Sequence, residues 1–429
     1  MSVTRRMLLM SGGALATLTA AGCSVTGAPQ PTGAGSAAGG DINILLMKQA
    51  GWTEADWAGV FEAFSAANPG LTVNPTFVAY EALHDKIVTS AAAGTYDVIQ
   101  VDVIWPPEFA EKKMIVDVTD RVPAAWGETM QGGALQAALY QDRYFGAPSF
   151  PSTKLFFYNN DMLTKVGATV EDVASWTGVM DVARELKSAG VCEYPLAWSW
   201  AQAEAVICDF AQLLGAFGGT FTDASGQLNF NDAAGQQTLQ FMVDTLADGT
   251  TAPGSTTFLE DDVIKSMQSG DTAFCLNWES TFRELNDESA SQVVGQCGVM
   301  ATPVGESGAQ PGVNGAMALA ITAGSSNQDN AWKFIEFAVS REVQDPLAQS
   351  AMPNWVASYS DPDVVANAPE VFTACQTAYA DSILRPQVVN YNTVSAILQV
   401  EIQKALLGDK SVTDALNDAV EQGNASLEG

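Results

Sequence analysis

The chain of 429 residues contains one histidine, His84. A zinc site or a Ser-His-Asp triad therefore has almost no material here. His84 itself sits beside Asp85 in a helical stretch and reads as a surface or structural residue. Walker, G-x-S-x-G and EF-hand patterns are also missing, so neither a metal nor a cofactor is expected and no enzymatic centre is marked. Positive charge is scarce: 19 Lys and Arg stand against 49 Asp and Glu. A surface of that sign repels phosphate backbones and anionic headgroups, which argues against nucleic acid and against electrostatic adhesion to membranes. Apolar residues, by contrast, make up 47% of the chain and charged ones only 16%, enough for a large core or two lobes of ordinary size.

The first 27 residues read as an address. Arg5 and Arg6 precede Met7–Ala21, which is apolar or small and too short to span a bilayer comfortably. Thr4-Arg5-Arg6-Met7-Leu8-Leu9 resembles a twin-arginine export signal, with the general secretory route left open. Leu18-Thr19-Ala20-Ala21-Gly22-Cys23 resembles a bacterial lipobox, which implies cleavage after residue 22 and lipidation of Cys23. Removing that leader takes Arg5 and Arg6 and no acid, so the net charge moves from −30 to −32. Residues 23–40 then form a lipidated Cys and a Gly/Pro/Ser/Ala tether. The expected location is the outer face of the cytoplasmic membrane, held there by the lipid alone. Five cysteines remain, and an odd number leaves at least one thiol unpaired. Short spacings favour Cys192–Cys208 and Cys275–Cys297 as disulfides; five free buried thiols are the alternative.

From Asp41 the pattern predicts α/β structure. Asp41–Met47, Leu71–Val78 and Tyr96–Val101 read as strands. They alternate with a helix capped by Thr53 and another over Tyr80–Ala93, the signature of a parallel sheet. Further helices are predicted over Trp176–Ala189, Ala203–Leu214, Ala233–Ala247 and Asn330–Val339. Further strands are predicted over Leu155–Tyr158, Thr272–Asn277, Val299–Thr302 and Ala316–Thr322.

Aromatics carry the functional signal. Trp52, Trp105, Trp198, Trp200, Trp278 and Trp355 sit where periodicity breaks, at loop ends. Sugar rings stack on such side chains, and ligands of open α/β sheets lie at the carboxyl ends of strands. Trp105 and Trp278 follow predicted strands and are well placed for this; plain core packing is the competing reading for each.

The order of segments resembles the family 1 extracellular solute-binding proteins, the maltose-binding-protein-like group, over Asp41–Glu428. The matching stretches include WAGVFEAFSAANPGLTV (Trp57–Val73), YEALHDKIVTSAAAGTYDVIQVD (Tyr80–Asp102) and MQSGDTAFCLNW (Met267–Trp278). NGAMALAITAGSSNQDNAWKFIEF (Asn314–Phe337) and LLGDKSVTDALNDAV (Leu406–Val420) follow. The resemblance implies a two-lobe periplasmic-binding fold with a cleft between the lobes. Lobe one would be 41–150 plus 302–348, and lobe two 151–301 plus 349–429. It implies a monomer that captures a neutral sugar, oligosaccharide or polyol by hinge closure and delivers it to an ABC permease. The implied ligand-binding residues are Trp278, Trp105, Asp102, Trp52, Tyr158, Trp198, Trp200, Glu204, Asn314, Gly315, Arg385 and Tyr391. A glycan-active surface enzyme and a binder of some non-sugar solute are the rival readings.

Overall fold

The computed structural model describes residues 40–49 and 51–427. The leader, Cys23 and the tether up to residue 39 lie outside the described residues. Strand β1 (Gly40–Met47) is the apolar run expected from its sequence, extended by one residue. Thr53 then caps the helix Glu54–Ala67. Its hydroxyl accepts from the Asp56 N–H at 3.1 Å, while the Asp56 carboxylate accepts from the Thr53 N–H at 2.9 Å. Trp57, Val60, Phe61 and Phe64 form the buried face of that helix. Asn68 ends it, its side chain donating to the Phe64 carbonyl at 3.0 Å, and Gly70 supplies the positive φ of 93° that turns the chain into β2 (Leu71–Val78). β2 lies parallel to β1 in register from Gly40–Leu71 to Met47–Val78. After the helix Tyr80–Ser90, β3 (Val98–Asp102) adds parallel on the other side of β1.

Beyond β3 the parallel pattern stops. A hairpin of β4 (Leu139–Tyr140) and β5 (Arg143–Tyr144) turns through Gln141 and Asp142, both at positive φ. β6 (Ala147–Phe150) leads out of this half into β7 (Lys154–Asn159). β7, β8 (Leu196–Ala197), β9 (Phe274–Trp278) and β10 (Cys297–Met300) build a second sheet in the order β10-β7-β9-β8. Only its β8–β9 pair is parallel. The chain then returns to the first sheet as β11 (Met317–Ile321), antiparallel to both β3 and β6, giving the order β2-β1-β3-β11-β6. The parallel sheet expected from the first 60 residues after the tether is thus three strands of a mixed five-stranded sheet.

Each sheet carries its own core. Trp57, Phe64, Phe109, Leu319 and Phe334 pack around the first, and Phe156, Trp176, Trp198, Phe210 and Leu213 around the second. The helices Glu204–Ala216, Ala233–Ala247, Tyr391–Leu406 and Val412–Leu427 cover the second sheet. Residues 302–312, expected with the first sheet, hydrogen-bond instead to elements of the second half. The Val304 N–H donates to the Ala174 carbonyl at 2.8 Å, and the Gly312 N–H to the Ala378 carbonyl at 3.1 Å. Residues 313–316 then lead directly into β11.

The expected disulfides do not form: Cys192, Cys208, Cys275, Cys297 and Cys375 are all free and buried. Cys275 lies on β9 and Cys297 on β10, the two strands that flank β7. Two inter-strand spacings, about 9.6 Å, separate them, beyond the reach of about 7 Å between Cα atoms that a disulfide permits. Cys192 lies near Lys165 and Lys187, whereas Cys208 faces Arg385, Glu204 and Lys154. Short spacing in sequence brought neither pair together in space.

Candidate functional site

A cavity of about 250 Å³ opens between the two sheets. On one side, the carboxyl ends of the parallel strands deliver Met47 at the end of β1 and Gln49 beyond it, Tyr80 after β2 and Asp102 at the end of β3. Strand ends converge there because each strand must leave the sheet for its crossover helix, which opens a crevice above the edge. Gly315 and Met317 join them from the entry to β11. On the facing side stand Trp278, the last residue of β9, and Glu204, the first residue of its helix, with Asn277 and Thr281.

Arg385 joins the two sides. It is buried, and its Nη1 donates to Glu204 Oε1 at 2.7 Å while Nη2 donates to Asp102 Oδ1 at 3.0 Å and to the Asn314 carbonyl at 3.3 Å. Tyr80 Oη donates to the other Asp102 oxygen at 2.6 Å. The Tyr391 hydroxyl donates to Glu204 Oε1, and Ser395 Oγ donates to Glu204 Oε2 at 2.5 Å. Burial alone would lower the Arg385 pKa, but attraction from Asp102, Glu204 and their neighbours holds it well above its ordinary value. Burial raises the pKa of Glu204 in spite of Arg385 and the two hydroxyls. Tyr80 is likewise pushed well up, first by burial and then by the negative charge of Asp102.

The lining is acidic. Glu81, Asp102, Glu204, Glu260, Asp261, Asp262 and Glu284 face it, with Arg385 and Lys265 as the cations. Arg385 is spent on two carboxylates, and the exposed Lys265 stands 3.7 Å from Asp262. A phosphate or carboxylate ligand would thus meet one buried cation already paired with two carboxylates and one exposed lysine beside Asp262. Two buried polar atoms without partners among the described residues belong to lining side chains: Arg385 Nε, a donor, and Thr281 Oγ1, a donor or acceptor. Both suit a hydroxyl.

Of the residues expected from sequence, Asp102, Glu204, Trp278, Gly315 and Arg385 line the cavity, and Tyr391 and Asn314 stand behind it in the same hydrogen-bond network. Trp105 is buried and stacks on Tyr80 at 5.7 Å, supporting a lining ring instead of lining the cavity itself. Trp52 packs edge-on against Trp57 at 4.8 Å and lines an adjoining recess that shares Gln49, Asp261 and Glu284 with the cavity. Trp198 and Trp200 are fully buried and stacked on each other at 5.1 Å, with Trp198 Nε1 donating to Thr251 Oγ1 at 2.9 Å. They are core residues of the second half. Tyr158 lies over Gly298, away from the cavity, where a Cβ on that glycine would meet the ring at 2.4 Å. Sequence reasoning missed Tyr80 and Gln49, although each lies two residues beyond the end of a strand that it had identified.

Two sheets meeting over an acidic, aromatic-edged cleft, joined by short crossings, define a two-lobed α/β ligand-binding protein. The family described as bacterial extracellular solute-binding protein matches residues 49–345, and the chain belongs to it. Maltose-bound MalE3 of T. maritima is similar in structure, with a TM-score of 0.84 and 27% identity over 90% of this chain and all of that one. A periplasmic binding protein of Sinorhizobium fredii, named for amino-acid ABC transport, is 21% identical over 358 residues, 81% of each chain. The sn-glycerol-3-phosphate-binding periplasmic protein of Rhizobium meliloti is 25% identical over 305 residues, 65% of this chain and 67% of that one. The chain is accordingly an extracytoplasmic substrate-binding protein of the ABC-transporter type. Among the described residues no helix is long and apolar enough to cross a membrane. Those three relatives are named for three ligand classes, so the choice among them falls to the chemistry of the cleft.

Proposed function

We propose that the protein captures a neutral sugar, oligosaccharide or polyol in this cleft by hinge closure and hands it to an ABC permease while Cys23 anchors it to the membrane. The observation that carries this reading is Trp278, which presents a half-buried ring at the end of β9 to a cavity whose one buried cation is already neutralised. An aromatic face suits the C–H faces of a sugar ring, and the carboxylates, Asn277 and Thr281 suit its hydroxyls. Glycerol phosphate bears an anionic group that the lining carboxylates repel, whereas a free amino acid presents an ammonium as well as a carboxylate, so the melting comparison with amino acids carries that distinction. Closure needs no chemistry, because a ligand bound by both halves favours the closed form over the open one. Lobe one would hold β1–β6 and β11 and lobe two β7–β10 with the C-terminal helices, hinged near residues 151–153, 313–316 and 349–353. Of the residues expected to bind ligand, Trp278, Asp102, Glu204, Gly315 and Arg385 make the proposed site, with Tyr80 and Gln49 added.

The test is a melting-temperature screen of maltose, longer oligosaccharides, monosaccharides and polyols, with sn-glycerol 3-phosphate and amino acids as comparators. A ligand at a hundred times its Kd stabilises the native state by about 2.7 kcal/mol, which raises the midpoint by several degrees. A shift from glycerol phosphate or an amino acid with none from any sugar or polyol would sink the proposal.

A further inference from the structure

Lys154 is fully buried, yet it carries a charge and does not line the cleft. It lies on β7 directly opposite Trp278 in the β7–β9 register, so the two side chains share one face of the sheet. Its ammonium sits over the Trp278 ring, 5.4 Å from the centroid. From there it donates to Asp209 Oδ1 at 2.7 Å and to Ser199 Oγ at 2.8 Å, with Glu260 Oε1 at 3.6 Å. Burial disfavours the ammonium, but attraction from Asp209 and then Glu260 more than compensates, so it stays protonated. A buried charge is costly where an apolar side chain would fill the same space. Its placement against the one tryptophan that lines the cavity between the sheets therefore calls for a role.

We infer that Lys154 is the positioning residue for Trp278, a deepening of the sugar-binding reading on which it rests. The indole is a half-buried side chain on the last paired residue of its strand, where the ladder holds the backbone but leaves the ring to its neighbours. A cation on one face fixes the ring plane by attraction to the π system, and Asp209 and Ser199 fix the cation. The benzo edge reaches Gly315 on the opposite side of the cleft, where a Cβ would meet Cζ3 at 2.3 Å and Cη2 at 2.5 Å. The ring is thereby held between a charge behind it and a bare backbone at its rim. The face turned away from Lys154 is the one offered to a ligand.

The test uses the full-length protein labelled with 5-fluorotryptophan, with the Trp278 resonance assigned through Trp278→Phe. Lys154→Met alone strands the Asp209 carboxylate and could fail to fold, so the informative variant is Lys154→Met/Asp209→Leu, which removes both charges. Lys154→Arg keeps a cation over the ring. The expected result is that the Trp278 fluorine signal shifts and broadens in the double variant and stays near its wild-type position in Lys154→Arg. Maltose affinity, the ligand probe, falls about tenfold in the double variant only. An unchanged Trp278 signal in the double variant would overturn the inference, as would the same shift in both variants, which marks simple packing. If wild type binds neither maltose nor any other sugar, the ligand reading fails, while the ring signal still decides the role of Lys154.

Discussion

At the scale of single residues, Glu279 is a buried carboxyl whose titration bears on stability. It is buried and follows Trp278 directly, and its Oε2 accepts from Ser152 Oγ at 2.8 Å and from the Thr153 N–H at 3.2 Å. Its Oε1 has no partner among the described residues. Burial pushes its pKa from 4.5 to about 7, and the two hydrogen-bond donors recover only part of that. Folding therefore binds a proton here between pH 4.5 and about 7. The contribution of Glu279 is complete below pH 4.5 and is lost as pH rises through 7, a swing of roughly 3 kcal/mol. Glu279→Gln should match wild type in urea unfolding near pH 4.5 and exceed it by up to that amount at pH 8. Equal stabilities at pH 8 would show that the carboxylate is solvated there. A second outcome belongs to this scale: Trp278→Ala should weaken binding of the proposed sugar ligand by about tenfold or more in titration calorimetry, because the ligand loses an aromatic face. Composition alone did not separate Trp278 from its rivals. Trp198 and Trp200 were also expected to bind ligand, but they stack on each other with both rings buried in the core.

At the scale of elements, the sequence was most legible where the chain is locally determined. The Thr53 cap and the run of β2 follow from short-range chemistry and stand in the structure as expected. Strand direction was not legible, since β11 and β6 reach the first sheet from distant parts of the chain and nothing near them encodes an antiparallel edge. The turn at Asn314–Ala316 was assigned to the cleft only through family resemblance, and the structure supplies a physical reason for its glycine. Asn314 fixes the turn by accepting from the Ala316 N–H at 2.9 Å and donating to the Gly133 carbonyl at 2.9 Å. Gly315 leaves room for the Trp278 benzo edge. A methyl there must displace the ring or hold the two sides of the cleft apart. Gly315→Ala is expected to weaken affinity for the proposed sugar ligand about tenfold, a loss of ~1.4 kcal/mol, while shifting the ligand-free melting midpoint little. Unaltered affinity would mean that the contact does not persist in the ligand-bound form.

At the scale of the whole molecule, what joins the halves is chemistry that no local pattern foretold. Arg385 was expected to touch ligand. In the structure its two terminal nitrogens bridge Asp102, at the end of β3 in the first sheet, and Glu204, at the start of a helix over the second. Its own segment runs between the halves, with the Asn314 N–H donating to the Ile383 carbonyl at 2.9 Å and Gln387 Nε2 donating to the Val103 carbonyl at 2.9 Å. One guanidinium thus holds two buried carboxylates, one from each half, that would otherwise repel each other. Removing it leaves both charges uncompensated, so Arg385→Met should open the cleft and lower unfolding stability by about 3–5 kcal/mol. Neutralising the carboxylates as well removes the repulsion along with the bridge. Arg385→Met/Asp102→Asn/Glu204→Gln should therefore regain most of the stability yet remain open, because no charge pair is left to hold the halves together. Small-angle scattering reads the shape and urea unfolding the stability. A ligand-free radius of gyration equal to wild type in both variants would show that the cleft is kept closed by packing, with Arg385 serving the ligand alone.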